Sequence, residues 1–335
     1  MKRSAMLMGM LLSILALVVP VVSARVSLPA VGGLTQDAAA KEKEEGEAYK
    51  AFFDANQARD IPKAVGFAKA YLEKFPDGKY ANYLKGWVRP HLFNEALTAK
   101  KTDEMIRIGK EVLTAEPENL DYLYLMAVTI RTNELSASPP NYSHGSEGAE
   151  FSQRAIKLIE GGKVPAVVPK DNWKQGPILG MLYQTVGLVA LKNKETDKAL
   201  ELYKKASSLD PSNPSYFLGM GSIYQEKYGL AATKYQAFPQ ADRDAAEPKP
   251  EVKAALDEAN AHADMVIENW AKFMALSAGS DPWKPTRDQV NGALTTIFKY
   301  RHPDDADGLQ KLIDKFKSNG APAGGGGTAA ASGKQ

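Results

Sequence analysis

Four positions recur at an interval of 34 residues in the second half of this 335-residue chain. Tyr183-x2-Val186-Gly187-x2-Ala190 is followed, member for member, by Phe217-x2-Met220-Gly221-x2-Tyr224. Between them stands Ala199-x3-Tyr203-x2-Ala206-x4-Pro211. A period of this length marks a supersecondary unit that cannot bury its apolar face alone and must stack on its neighbours. The residue sizes say how. Gly187 and Gly221 let a second helix cross closely, and Ala199 and Ala206 do the same from the other side. Tyr183, Tyr203, Phe217 and Tyr224 fill the space between. Pro211 then stops the second helix.

The punctuation elsewhere agrees. Pro76, Pro117 and Pro211 each follow a helical run. In Asp210-Pro211-Ser212-Asn213-Pro214, Asn213 is placed to cap the next helix. Pro214 falls in its first turn, where a missing N–H costs nothing. Asn119, after Pro117, is a second expected cap. Helical apolar stripes run through Phe151, Ala155, Leu158 and Ile159, then Leu256, Ala259, Ala263, Ile267, Trp270 and Met274, then Leu309, Leu312, Ile313 and Phe316. No run of alternating β-branched residues competes with them. Other copies of the repeat are less complete. Leu123-x2-Met126-Ala127-x2-Ile130 keeps the first-helix pattern, with its second helix displaced by an insertion at 134–148. Ala64-x3-Ala68-x2-Tyr71-x4-Pro76 keeps a second-helix pattern with alanine where Tyr203 has its ring. Met105-x3-Gly109-x2-Val112-x4-Pro117 keeps only the spacing, and Ala231-x3-Tyr235 stands in the second-helix place after Phe217, two residues early.

These motifs resemble the tetratricopeptide repeat (TPR), most specifically over residues 178–236. The resemblance implies an all-α fold: a TPR-like right-handed solenoid of antiparallel helix pairs with C-terminal capping helices. The expected organisation is repeats over 41–240 and a helical cap over 241–318. Repeat packing falls to Tyr183, Gly187, Ala199, Tyr203, Ala206, Pro211, Phe217, Gly221 and Tyr224. By the same resemblance, a groove for a protein or peptide partner is lined by the first helix of each pair. Its residues here are Asp121, Tyr124, Val128 and Arg131, then Gln184 and Leu188, then Leu218, Ser222 and Gln225. They are mainly apolar or neutral, unlike the Lys, Arg and Asn that family members use to hold a peptide carboxylate.

Composition sets the surroundings. Lys2-Arg3, an apolar run at 5–22 and Val22-Ser23-Ala24 form a secretory signal pattern, with cleavage expected after Ala24. The reading that follows is an exported, periplasmic or secreted chain of bacterial-envelope type, with no membrane segment after cleavage; the competing reading is that the apolar run is retained as an anchor. Residues 25–40 read as a flexible lead-in and 319–335, with four consecutive glycines, as a disordered tail. Of 42 Lys+Arg and 40 Asp+Glu, two cations lie in the signal, so the remainder is neutral overall and unsuited to nucleic acid. Charge is nonetheless blocked. Residues 111–151 hold seven acids and one base, 152–208 ten bases and five acids, and 239–268 eight acids and three bases.

No cysteine is present, which removes disulfides, thiolate nucleophiles and Cys-ligated metal. No nucleotide-binding or nucleophile-elbow motif appears, and His91, His144, His262 and His302 are dispersed. Glu258 and His262, one helical turn apart, are too few for a zinc site. No metal, cofactor or catalytic residue is therefore expected. The insertion, with Tyr142 and His144, reads as a tolerated, mobile surface loop. The leading reading is a non-enzymatic interaction module. The alternatives are an assembly or scaffolding factor of an envelope complex, with possible self-association, or an enzyme subunit with a site at 250–317 around Trp283, Arg287, Tyr300 and His302.

Overall fold

The computed structural model describes residues 36–320; the expected signal, most of the lead-in and nearly all of the tail lie outside the described residues. Among the described residues there are thirteen α-helices and no strand, packed as consecutive pairs. They form two compact units.

The first unit runs to Asn133 and includes Val164–Asp171. It contains α1 (Gln36–Gln57), α2 (Ile61–Lys74), α3 (Ala81–Thr98), α4 (Thr102–Ala115) and α5 (Leu120–Ile130). Helix α1 begins at Gln36, so the last part of the expected lead-in is helical. Each helix packs on the next. Phe52, Ala64, Ala68 and Leu84, all fully buried, belong to one apolar cluster. Asn119 caps α5 as expected, its side chain accepting the Tyr122 N–H at 3.4 Å.

The second unit holds residues 134–163 and 172–320. Its helices are α6 (Gly145–Glu160), α7 (Gln175–Lys192), α8 (Thr196–Leu209), α9 (Pro214–Gln236), a short α10 (Gln240–Arg243), α11 (Pro250–Leu276), α12 (Lys284–Arg301) and α13 (Gly308–Gly320). Asn213 accepts the Ser215 N–H at 3.1 Å and Pro214 opens α9, as the sequence requires. The Leu309 and Ile313 stripe of α13 packs against Ala271 and Ala275 of α11. The expected second helix after Phe217 does not form. Ala231 and Tyr235 lie within α9 rather than in a second helix of their own. Nothing between Pro214 and Gln236 stops the helix, because a lone Gly229 in open space costs only about 1 kcal/mol. Helix α11 takes the missing place instead. It runs antiparallel to α9, with Trp270 against Gly221, the His262 ring 6.2 Å from Tyr224, and Lys234 bonded to Glu258 at 2.9 Å.

Three turns between first and second helices share one geometry. Arg59, Lys100 and Lys194 each adopt positive φ, at 59°, 56° and 62°. The next residue in each case, Asp60, Lys101 or Glu195, donates its N–H to the carbonyl five residues back, on Ala55, Ala96 or Ala190. This is the left-handed C-terminal cap that closes a helix, here without the usual glycine. Where those alanines stand, the α9 copy has Tyr224, and no such turn forms there.

Helix crossings also recur, with sizes exchanged. A Cβ on Gly187 would meet the Tyr203 ring at 3.1 Å, sixteen residues on. In the first unit the same separation joins Phe93 to Gly109, whose added Cβ would stand 3.2 Å from that ring, and relates Phe52 to Ala68 in one buried cluster. Large and small have traded places between first and second helix.

Candidate functional site

Helix α5 spends one face on packing and leaves another. Leu123, Met126, Ala127 and Ile130 are fully buried. Asp121, Tyr124 and Val128, the expected groove residues of this helix, and Arg131 just past its end are half-buried. Burial pushes the Tyr124 phenol up from its ordinary range. Asp121 accepts the main-chain N–H of Val167 at 3.1 Å, from the Val164–Asp171 stretch that belongs to this unit.

The first unit adds residues that sequence reasoning missed. Tyr49 and Phe53 of α1 lie fifteen and eleven residues before Ala64, as Gln184 and Leu188 do before Ala199. Counting back from the Ala64-to-Pro76 pattern was the available signal. Tyr49 stacks on Tyr80 at 3.7 Å, and Phe53 is 42% exposed. Helix α3 brings Tyr83, 52% exposed, and Trp87, whose ring lies 4.8 Å from Phe52 and 4.5 Å from His91. Burial, with smaller contributions from Tyr83 and Tyr80, raises the Tyr49 phenol. Burial lowers the His91 imidazole.

In the second unit the expected row is only partly open. Gln184 is 5% exposed. Its amide donates to Ser215 Oγ at 3.1 Å, and Ser215 Oγ donates to Asn213 at 2.7 Å. Gln184 therefore ties α7 to the cap of α9 and is not a groove residue. The next repeat covers it, which no local pattern announces. Leu188 is half-buried, and Leu218 packs against the Tyr203 cluster. Ser222 and Gln225 are exposed, the former's hydroxyl donating back to the Leu218 carbonyl at 3.0 Å.

Of the repeat-packing residues, Ala199, Tyr203, Ala206, Phe217 and Tyr224 are buried, with Gly187 and Gly221 at the crossings. Pro211 is exposed and lies just past α8. Tyr183 is only half-buried. Its hydroxyl donates to Glu160 at 2.7 Å, and burial together with that bond pushes its pKa up to about 12.

The insertion is a surface loop, with residues 138–141 exposed, but it is anchored by a buried carboxylate. Glu134, 5% exposed, is its centre. The carboxylate faces His144 Nδ1 at 2.7 Å and accepts the His144 N–H at 3.2 Å, while the Glu134 carbonyl accepts the Asn141 N–H at 3.0 Å. Lys192 of α7 sits 5.3 Å from the centre of the Tyr142 ring.

The residues singled out at 250–317 do not converge. Arg287 donates to the Ser277 and Ser280 carbonyls, and Trp283 packs edge-on against Phe273 at 5.6 Å. His302 lies at the other end of the 18-residue α12, roughly 27 Å away at 1.5 Å per residue. Glu258 is engaged by Lys234, and Asp264 by Arg301 at 2.8 and 3.0 Å. Among the described residues no cluster of three or more His, Cys, Asp or Glu is arranged to hold a metal, and no helix is long and apolar enough to cross a membrane.

The family model described as TPR repeat matches residues 187–236, from the Gly187 crossing to the end of α9. No curated protein matches the chain. Repeats of this family generally mediate protein–protein interaction. The 34-residue spacing, the Gly187–Tyr203 crossing and the family match fall on the same helices, so the chain carries tetratricopeptide repeat structure over residues 187–236.

Proposed function

We propose that this chain is an exported, non-catalytic interaction module that holds a protein or peptide segment on its first-helix faces. The observation that carries this reading is the division of labour on α5 and α1. One face of each is consumed by the core, while Tyr124, Val128, Tyr49 and Phe53 stay partly exposed on another. Aromatic and aliphatic side chains in that state give a partner apolar surface at low entropic cost. Export rests on the charged, apolar and small-residue segments of residues 1–24.

Cross-linking of the intact chain in envelope extract, with and without Tyr124→Glu and Val128→Glu together, tests the face. Loss of the cross-linked partner at unchanged melting temperature is expected. A partner retained at full yield counts against it. N-terminal sequencing of the envelope form should begin at Arg25.

A further inference from the structure

Residues 164–168 read Val-Pro-Ala-Val-Val. They follow α6 and precede α7, both in the second unit, yet the stretch Val164–Asp171 belongs to the first. There the Val167 N–H is given to Asp121, the first groove residue of α5. Pro165 is buried, and its carbonyl accepts the Val168 N–H at 3.2 Å, so the stretch makes a turn after the proline. A side-chain carboxylate holding a main-chain N–H reads the backbone of its ligand rather than one side chain. Val167 and Val168 at that N–H are half-buried while Val164 and Ala166 are exposed; with Tyr124 and Val128 half-buried on α5, this leaves apolar contact through Val167 and Val168 as the other means of recognition.

We propose that residues 164–168 are a tethered occupant of the α5 face, and that the partner of this face is an apolar proline-containing peptide of the same kind, which must displace them. The inference rests on the first-helix reading above and names its ligand chemistry. The same pattern stands once more in the sequence as Leu28-Pro29-Ala30-Val31, which supplies an independent probe of that chemistry. Tethering sets the size of the effect. A short tether gives an effective concentration of about 1 mM, so a free peptide of intrinsic Kd near 100 μM binds about tenfold more weakly while the tethered segment is in place.

The experiment titrates the full chain with two fluorescent peptides, KVPAVVPK and RVSLPAVGG, and with a scrambled control, PKVAVPVK. A chain whose residues 164–168 are replaced by a five-residue Gly/Ser linker should bind both probes about tenfold more tightly than wild type. Asp121→Ala in the linker background should weaken both by at least tenfold, with the helical melt preserved. The scrambled peptide should bind neither chain. Equal affinity of wild type and linker chain, binding that ignores Asp121, or no binding of either probe to the linker chain each overturns the proposal. A cross-linked partner that still depends on Tyr124 and Val128 while the peptides fail would leave the first-helix reading standing and remove only this inference. Should the linker chain misfold, Asp121→Ala in the otherwise unchanged chain serves instead. Release of the segment should then raise proteolytic cleavage at 163–171 several-fold, and unchanged cleavage overturns the seating.

Discussion

Gly221 lies directly under the Trp270 indole, so that a Cβ at 221 would overlap Cδ1 and Nε1 of the ring. The indole N–H is buried without a hydrogen-bond partner. The ring therefore contributes through shape, as the residue that closes the α9–α11 pair. Gly221→Ala should cost about 1–2 kcal/mol, the overpacking penalty less the helix propensity gained. Gly229→Ala, in the same helix but in open space, should add about 0.5–1 kcal/mol. Urea unfolding of the two variants checks the contrast. A Gly221→Ala chain as stable as wild type would contradict the crossing.

The left-handed caps make a second prediction. Lys194, at φ 62°, carries a Cβ in a backbone region that disfavours one by about 1 kcal/mol. Glycine relieves that strain and returns part of it as unfolded-chain entropy. Lys194→Gly should raise stability by about 0.5 kcal/mol, and Lys194→Val should lower it by about 1 kcal/mol. The order Gly above Lys above Val in thermal melts is the test, and Arg59 and Lys100 should repeat it.

Glu134 and His144 organise the insertion. His144→Ala leaves a buried carboxylate short of its imidazole contact at 2.7 Å, a loss of about 1.5–3 kcal/mol for a bond to a charged group. Limited proteolysis should then cut within 134–148 much faster than in wild type. His144→Asn, which keeps a donor, should be intermediate. A cleavage rate unchanged by His144→Ala would mean the insertion is held by other contacts.

His91 gives a pH dependence whose sign follows from burial. Its imidazole is lowered from 6.5 in the folded chain, so the unfolded chain takes the proton first as pH falls. The neutral-imidazole stability is present above pH 6.5 and is lost on acidification through the folded value. The difference in melting temperature between pH 7.5 and 5.5 should be smaller in His91→Gln than in wild type. An equal or larger difference in the variant would reverse the assignment.

The sequence showed most where residue size and spacing coincide. Gly187, Tyr203 and Pro211 identify a helix pair because each has a physical task at a fixed distance. Phe52 with Ala68 and Phe93 with Gly109 do the same task with sizes exchanged, and so Ala64–Pro76 lacked the ring of its pattern and Met105–Pro117 kept only the spacing. The turns at Arg59, Lys100 and Lys194 carry no glycine to announce them. The length of α9 was hidden because Ala231 and Tyr235 stand near the second-helix places, while Gly229 just before them is merely tolerated. Half-buried positions were legible on α5, beside the fully buried Leu123, Met126, Ala127 and Ile130. They were not on α7, where the neighbouring repeat buries Gln184, a tertiary effect with no local trace.

Exchanged sizes at the helix crossing also constrain how such a chain changes over time and how it can be rebuilt. Passing from the Gly187–Tyr203 arrangement to the Phe93–Gly109 arrangement one substitution at a time leads through either two rings in one space or none. Both intermediates are costly, by about 1–3 kcal/mol for the clash and 3–5 kcal/mol for the void. The two arrangements are thus alternative solutions of one joint, each requiring both of its partners. Chimeras that swap a single helix between copies should fail where chimeras that swap whole hairpins succeed.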